Sequence, residues 1–120
     1  MGKKILVAED VRATREVVSF LLANRGFDVI ESENGIDTLE KVKSQRPDLL
    51  ILDSDMPQKS GYEVFRELRM DEASRKLPVL FLVGGSDVID VTKTVPPAEC
   101  LVAKPFTAHD LIQRINKVLG

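Results

Sequence analysis

Asp48-Leu49-Leu50-Ile51-Leu52-Asp53-Ser54-Asp55-Met56-Pro57 decides how this chain folds. Leu49 to Leu52 are apolar without interruption, the pattern of a strand buried on both faces. The run ends abruptly in Asp53, and Met56-Pro57 stops regular structure soon after. An open α/β sheet places its chemistry at the carboxyl ends of its central strands. A carboxylate there is costly to bury unless a cation or hydrogen bonds compensate it. What gathers around Asp53 therefore depends on how the rest of the chain is threaded.

Upstream, Ile5 to Ala8 is a short apolar run closed by Glu9-Asp10, and it reads as the first strand. From about Val11 to Arg25, Val17, Val18, Leu21 and Leu22 recur at helical spacing, and Gly26 ends that helix. Phe27 to Glu31 alternates as a second strand. Asn34 is placed to cap a second helix with Ile36, Leu39 and Val42 as its inner face, and Pro47 punctuates it.

Downstream, Ser60-Gly61-Tyr62-Glu63 is a capping box opening a third helix that presents Val64, Phe65 and Leu68. Asp71 to Lys76 is a polar connection. Pro78 to Val83 is apolar throughout and reads as a buried fourth strand, followed by the turn Gly84-Gly85-Ser86. Asp87 to Val95 stands where a fourth helix belongs. It is rich in β-branched residues and ends at Pro96-Pro97, so a short or distorted helix is expected. Cys100 to Ala103 is a fifth strand, followed by Lys104-Pro105-Phe106. Thr107 and Asp110 form a second box of capping type, and the last helix buries Leu111, Ile112, Ile115, Val118 and Leu119.

Five βα units in succession, without linker or low-complexity tract, imply one domain over residues 1–120. Its class is α/β: a doubly wound (βα)5 sandwich around a five-stranded parallel sheet, connected right-handedly. The flavodoxin-like order 2-1-3-4-5 is the natural choice for five strands. A net charge of −2 gives no broad electrostatic case for nucleic acid. A single cysteine, Cys100, excludes an internal disulfide and the usual Cys-rich zinc sites. The apolar run after Met1-Gly2-Lys3-Lys4 is too short for a signal segment or a membrane span, and its prompt entry into a strand argues against lipidation of Gly2. A cytoplasmic protein is expected.

The order 2-1-3-4-5 brings the ends of the first, third and fifth strands together, and those ends carry Glu9-Asp10, Asp53 and Lys104. Carboxylates held this close repel one another. A hard divalent cation removes the repulsion, and Mg2+ favours a few carboxylates plus water and phosphate oxygens. An aspartate beside Mg2+ can attack a phosphoryl group and form an acyl phosphate, whose oxygen a lysine ammonium neutralises. The bland alternative is an ion-pair cluster of Glu9, Asp10 and Lys104 at the sheet edge.

With these motifs in place, the chain resembles the receiver domain of bacterial two-component response regulators over essentially its whole length. The resemblance rests on Glu9-Asp10, on Asp53 with Met56-Pro57 following it, on Gly61 opening the third helix, and on Lys104-Pro105-Phe106. It implies that Asp53 is the phosphoacceptor. Asp10 and Asp53 would bind Mg2+ through their carboxylates, Glu9 through a metal water, and Asp55 through its backbone carbonyl. Lys104 would contact the phosphoryl group. The donor would be a histidine kinase or phosphotransfer protein, and the domain would catalyse only its own phosphorylation and dephosphorylation. An output domain or protein would act downstream, and a monomer or weak dimer is expected, without nucleic-acid or membrane binding of its own.

Two positions depart from that family. Where it carries Thr or Ser at the end of the fourth strand, this chain has Val83; where it usually carries an aromatic residue three positions before the lysine, this chain has Leu101. In the family the hydroxyl turns toward the phosphoryl group and the ring moves inward behind it. Val83 has no donor, so a charge-assisted bond of roughly 1.5–3 kcal/mol is missing from the phosphorylated state. A phosphorylation-independent pseudo-receiver, acting as a protein-docking module, is the main rival reading. An enzyme of the haloacid-dehalogenase type is a second, suggested by Asp53-Ser54-Asp55 with Asp87 and Asp90. That family puts its nucleophile on the first strand and its lysine before the later acids, the reverse of the order here. Tyr62 is expected on the third helix, unable to replace the missing ring, and His109 as an exposed helix residue. Cys100 is expected to be a buried strand residue.

Overall fold

The computed structural model describes residues 2–54, 56, 59–83, 101–103 and 106–119. In chain order these form β1 (Lys4–Ala8), α1 (Arg12–Asn24), β2 (Asp28–Ser32), α2 (Gly35–Gln45), β3 (Leu49–Asp53), α3 (Gly61–Met70), β4 (Val79–Val83), β5 (Leu101–Ala103) and a last helix, α4 (Ala108–Leu119). Every pairing is parallel, with β1 between β2 and β3, and β4 on the far side of β3. The three residues of β5 run along β4 from Phe81 to Val83.

Period-2 alternation sorts the strands' side chains onto two layers. Leu6, Ala8, Leu50, Leu52, Val79, Phe81 and Val83 pack with Val42 of α2 and with Val64, Phe65 and Leu68 of α3. Ile5, Val7, Leu49, Ile51, Leu80 and Leu82 pack with Val18 and Leu22 of α1 and with Leu111, Ile112 and Ile115 of α4. Helices thus cover both faces, which is why β3 is buried at every position. Register at the foot of the sheet is pinned by a reciprocal pair. The Asp48 amide donates to the Lys4 carbonyl at 2.7 Å, and the Lys4 amide donates to Asp48 Oδ2 at 2.8 Å.

The helix ends follow local chemistry. Asn34 Oδ1 accepts from the Asp37 amide at 2.8 Å, and Ser60 and Glu63 make the full capping box. Thr107 and Asp110 exchange the equivalent pair of bonds at 3.0 and 3.4 Å. Gly26, with φ 89°, turns the chain out of α1. Two expected core positions are outside. Val17 is 59% exposed, because it lies one step of about 100° from Val18 around α1 while Val18 and Leu22 take the buried stripe. Ile36 is 47% exposed, because Thr38 rather than Ile36 shares the inner face with Val42. The Thr38 hydroxyl is satisfied there, 2.7 Å from the Asn34 carbonyl and 2.7 Å from Ser32 Oγ. The turn Gly84–Ser86, the helix expected over Asp87–Val95, and Cys100 lie outside the described residues.

Ile51 is fully buried in the central strand. Ile51→Ala should lower unfolding free energy by about 2–5 kcal/mol, measured by urea titration, without changing the helical content of the folded state.

Candidate functional site

The apolar pattern that buries β1 and β3 side by side also fixes where their carboxyl ends stop. Ala8 pairs with Leu52, so Glu9-Asp10 and Asp53 leave adjacent strands at the same height. One carboxylate oxygen from each of Glu9, Asp10 and Asp53 lies within 4.8 Å of the other two. Glu9 and Asp53 are 0% and 3% exposed, whereas Asp10 opens to solvent. Two carboxylates of the group are therefore buried and the third meets water.

This donor set suits a hard divalent cation. Mg2+ holds oxygens at about 2.0–2.1 Å in an octahedron, which separates them by about 2.9 Å in cis and about 4.2 Å in trans. The three carboxylate oxygens, all within 4.8 Å of one another, are near enough to that span to share one ion, directly or through water. All three residues are acidic oxygen donors, with no sulfur or imidazole among them, as Mg2+ favours over zinc.

The backbone around Asp53 is held tightly. The Ser54 amide donates to the Leu82 carbonyl at 3.1 Å, continuing the sheet one residue past β3. The Gly61 amide donates to the Ser54 carbonyl at 3.1 Å, docking the start of α3 on the strand end. A Cβ at position 61 would stand 2.2 Å from the Asp53 carbonyl oxygen and 2.9 Å from Ser54 Cα. Only glycine allows that approach.

On the other side, the Glu9 amide donates to the Ser32 carbonyl at 3.1 Å. Arg15 Nη1 donates to the Glu9 carbonyl at 2.7 Å, and its Nε donates to Glu31 Oε1 at 3.3 Å. Arg15 carries no motif signal in the sequence; its place six residues after Glu9 on α1 gains meaning only when the turn between them is seen. Lys59, in the connection to α3, is committed elsewhere. Its hydrogen bond to Glu67 raises its pKa, opposed by desolvation and helped by the charges of Glu67 and Glu63.

Of the residues singled out in the sequence, Glu9, Asp10 and Asp53 come together. Asp55 and Lys104 lie outside the described residues. Val83 ends β4 only 2% exposed, opposite Ala103 in register. Of Leu101 the backbone alone is described, opposite Phe81. Tyr62 is on α3, where its ring stacks on Phe81 at 5.6 Å, and His109 is exposed on the first turn of α4. No helix among the described residues is long and apolar enough to cross a membrane.

A parallel sheet wrapped by helices, with an acidic group at the carboxyl ends of its central strands, is an α/β arrangement of the flavodoxin-like class. The chain belongs to the response regulator receiver domain family, which matches residues 5–116. It is 32% identical over 122 residues to chemotaxis protein CheY of Bacillus subtilis, covering the whole of both chains. It is 31% identical over 120 residues to the phosphate regulon transcriptional regulatory protein PhoB of Escherichia coli, covering 99% of this chain and 52% of that one. The chain thus spans about half the length of the PhoB proteins it matches. Among solved structures it resembles the receiver domain of a sensor histidine kinase from Pseudomonas aeruginosa. That likeness has a TM-score of 0.91 and 26% identity, over 100% of this chain and 99% of that one. The Pseudomonas domain carries a magnesium ion in its active-site cleft.

Gly61→Ala should destabilise the fold by about 1–3 kcal/mol in urea titration, because the Asp53–Ser54 backbone must move to admit the methyl group.

Proposed function

We propose that this chain is a phosphoacceptor in a two-component phosphorelay, with Asp53 receiving a phosphoryl group from a histidine kinase or phosphotransfer protein. The observation that carries the reading is the convergence of Glu9, Asp10 and Asp53 within 4.8 Å at the ends of two central strands. A carboxylate oxygen of Asp53 forms a bond to phosphorus as the bond to the donor nitrogen breaks, leaving an acyl phosphate on Asp53. Asp10 and Asp53 would hold Mg2+ through their carboxylates, Glu9 through water, and Asp55 through its backbone carbonyl. Bound there, the ion would neutralise charge on the transferring oxygens. Lys104 offers its ammonium to a phosphoryl oxygen. The chain turns over no other substrate; it catalyses its own phosphorylation and hydrolysis, in the cytoplasm, as a monomer or weak dimer. An output domain or separate protein receives the signal.

The finer architecture goes with this reading: a complete (βα)5 sandwich with its five strands in the order 2-1-3-4-5. The response to phosphorylation is small or unconventional. Val83 is buried and offers no hydrogen-bond donor to an incoming phosphoryl oxygen. Below it, Phe81 is held by Tyr62, and Phe65 meets it edge-on at 5.3 Å. Shifting a two-state equilibrium requires differential interaction with the two states, and the usual donor is absent. Those same features favour the second reading, a docking module that works without phosphorylation.

Intact-mass analysis after incubation with Mg2+ and a small acyl-phosphate donor separates the two. A phosphate adduct is expected on the parent chain and none on Asp53→Asn. No adduct from either that donor or a cognate kinase would leave the docking module as the better account. In the phosphorylated chain, amide chemical shifts over residues 87–101 should move little; wholesale remodelling there would overturn the weak-switch reading.

A further inference from the structure

We propose that Arg15 is the positioning residue of the acidic site, holding the Glu9–Asp10 turn in the shape that lets three carboxylates share one divalent cation. The inference rests on the metal-dependent reading above and adds a residue to it.

The turn between β1 and α1 is not closed by a helix cap. Val11, the N-cap of α1, makes no side-chain cap, and the helix has no acidic residue in its first turn. Glu9 Oε2 accepts from the Val11 amide at 3.4 Å. The backbone of Glu9 is nevertheless pinned at both polar groups, its amide on the Ser32 carbonyl and its carbonyl on the Arg15 guanidinium. The second bond is short, at 2.7 Å, and charge-assisted. It is formed at a residue with no solvent exposure, so water cannot easily replace the donor.

Arg15 is itself held in place. Its side chain is 11% exposed, and Glu31 of β2 takes the Nε proton. The Glu31 carbonyl in turn accepts from Lys41 of α2. One guanidinium thus ties the end of β1, the first turns of α1 and the end of β2 into a single unit. It reaches the site through a neutral carbonyl, while Glu31 balances its charge. Its role is therefore geometric, with its charge largely spent on Glu31.

That distinction gives opposite signs. If Arg15 acted mainly by charge, removing it would make the acidic group more negative and tighten Mg2+ binding. If it positions Glu9 and Asp10, removing it weakens binding, and neutralising Glu31 as well does not restore it. The test is calorimetric Mg2+ titration of the full chain as parent, Arg15→Met, Glu31→Gln and the double variant, with urea unfolding in Mg2+-free buffer alongside. Arg15→Met should bind Mg2+ about 10–100-fold more weakly, the double variant should be as weak at the parent's net charge, and Glu31→Gln should lose less than about tenfold. Arg15→Lys can reach the carbonyl or Glu31 but not both, and should fall between parent and Arg15→Met; it carries the test if Arg15→Met does not fold. Equal or tighter binding in the folded Arg15 variant, with only stability changed, overturns the positioning role alone. A parent chain that binds no Mg2+ overturns the metal reading and this inference together.

Discussion

The convergence of three carboxylates, Glu9, Asp10 and Asp53, within 4.8 Å of one another is the constraint around which this domain is arranged. Two of the three carry almost no exposed surface, and no fold gains stability by crowding carboxylates in that way. The parallel registers of β1 and β3 impose the crowding, and a fully apolar sheet beneath them pays for it. The backbone contacts nearby all serve to keep the arrangement from relaxing. Gly61 admits α3 to the strand end, Ser54 extends the sheet past Asp53, and Arg15 closes the turn that carries Glu9 and Asp10.

The same sheet carries an apolar column up to the acidic site. On the face that β4 shares with α3, Phe81 is flanked by Tyr62 and Phe65, and the Arg69 guanidinium lies 4.6 Å from the centre of the Phe65 ring. Val83 continues that apolar column to the end of β4. A column without a hydroxyl at its top can pack against the site but cannot bond to what arrives there. On the proposed reading, holding a cation falls to Glu9, Asp10 and Asp53, and transmitting a change falls to the column that ends in Val83.

Much of this was legible in the residues. The uninterrupted run Leu49–Leu52 located the central strand, the alternation of βα units gave a parallel sheet, and the strand order 2-1-3-4 placed Glu9, Asp10 and Asp53 at one end. Caps at Asn34, Ser60 and Thr107 were readable because a side chain and its amide partner stand three residues apart. Faces were less certain. Val17 and Ile36 fit a helical stripe by spacing, yet each stripe is narrower than the run of apolar residues that could fill it, and packing chose Val18, Leu22, Thr38 and Val42 instead. Arg15 was invisible for a different reason: its partner is a backbone carbonyl, which every residue has and no sequence pattern marks.

On the proposed metal-dependent reading, crowding Glu9, Asp10 and Asp53 costs stability that a bound divalent cation returns. Urea unfolding of the parent and Asp10→Asn, each with and without Mg2+, measures that cost. Without Mg2+, Asp10→Asn should be the more stable of the two, since one of three like charges is gone. With Mg2+ at a hundred times its dissociation constant, the parent should gain about 2.7 kcal/mol and Asp10→Asn much less, narrowing or reversing the order. A parent indifferent to Mg2+, or more stable than Asp10→Asn in its absence, would contradict the account.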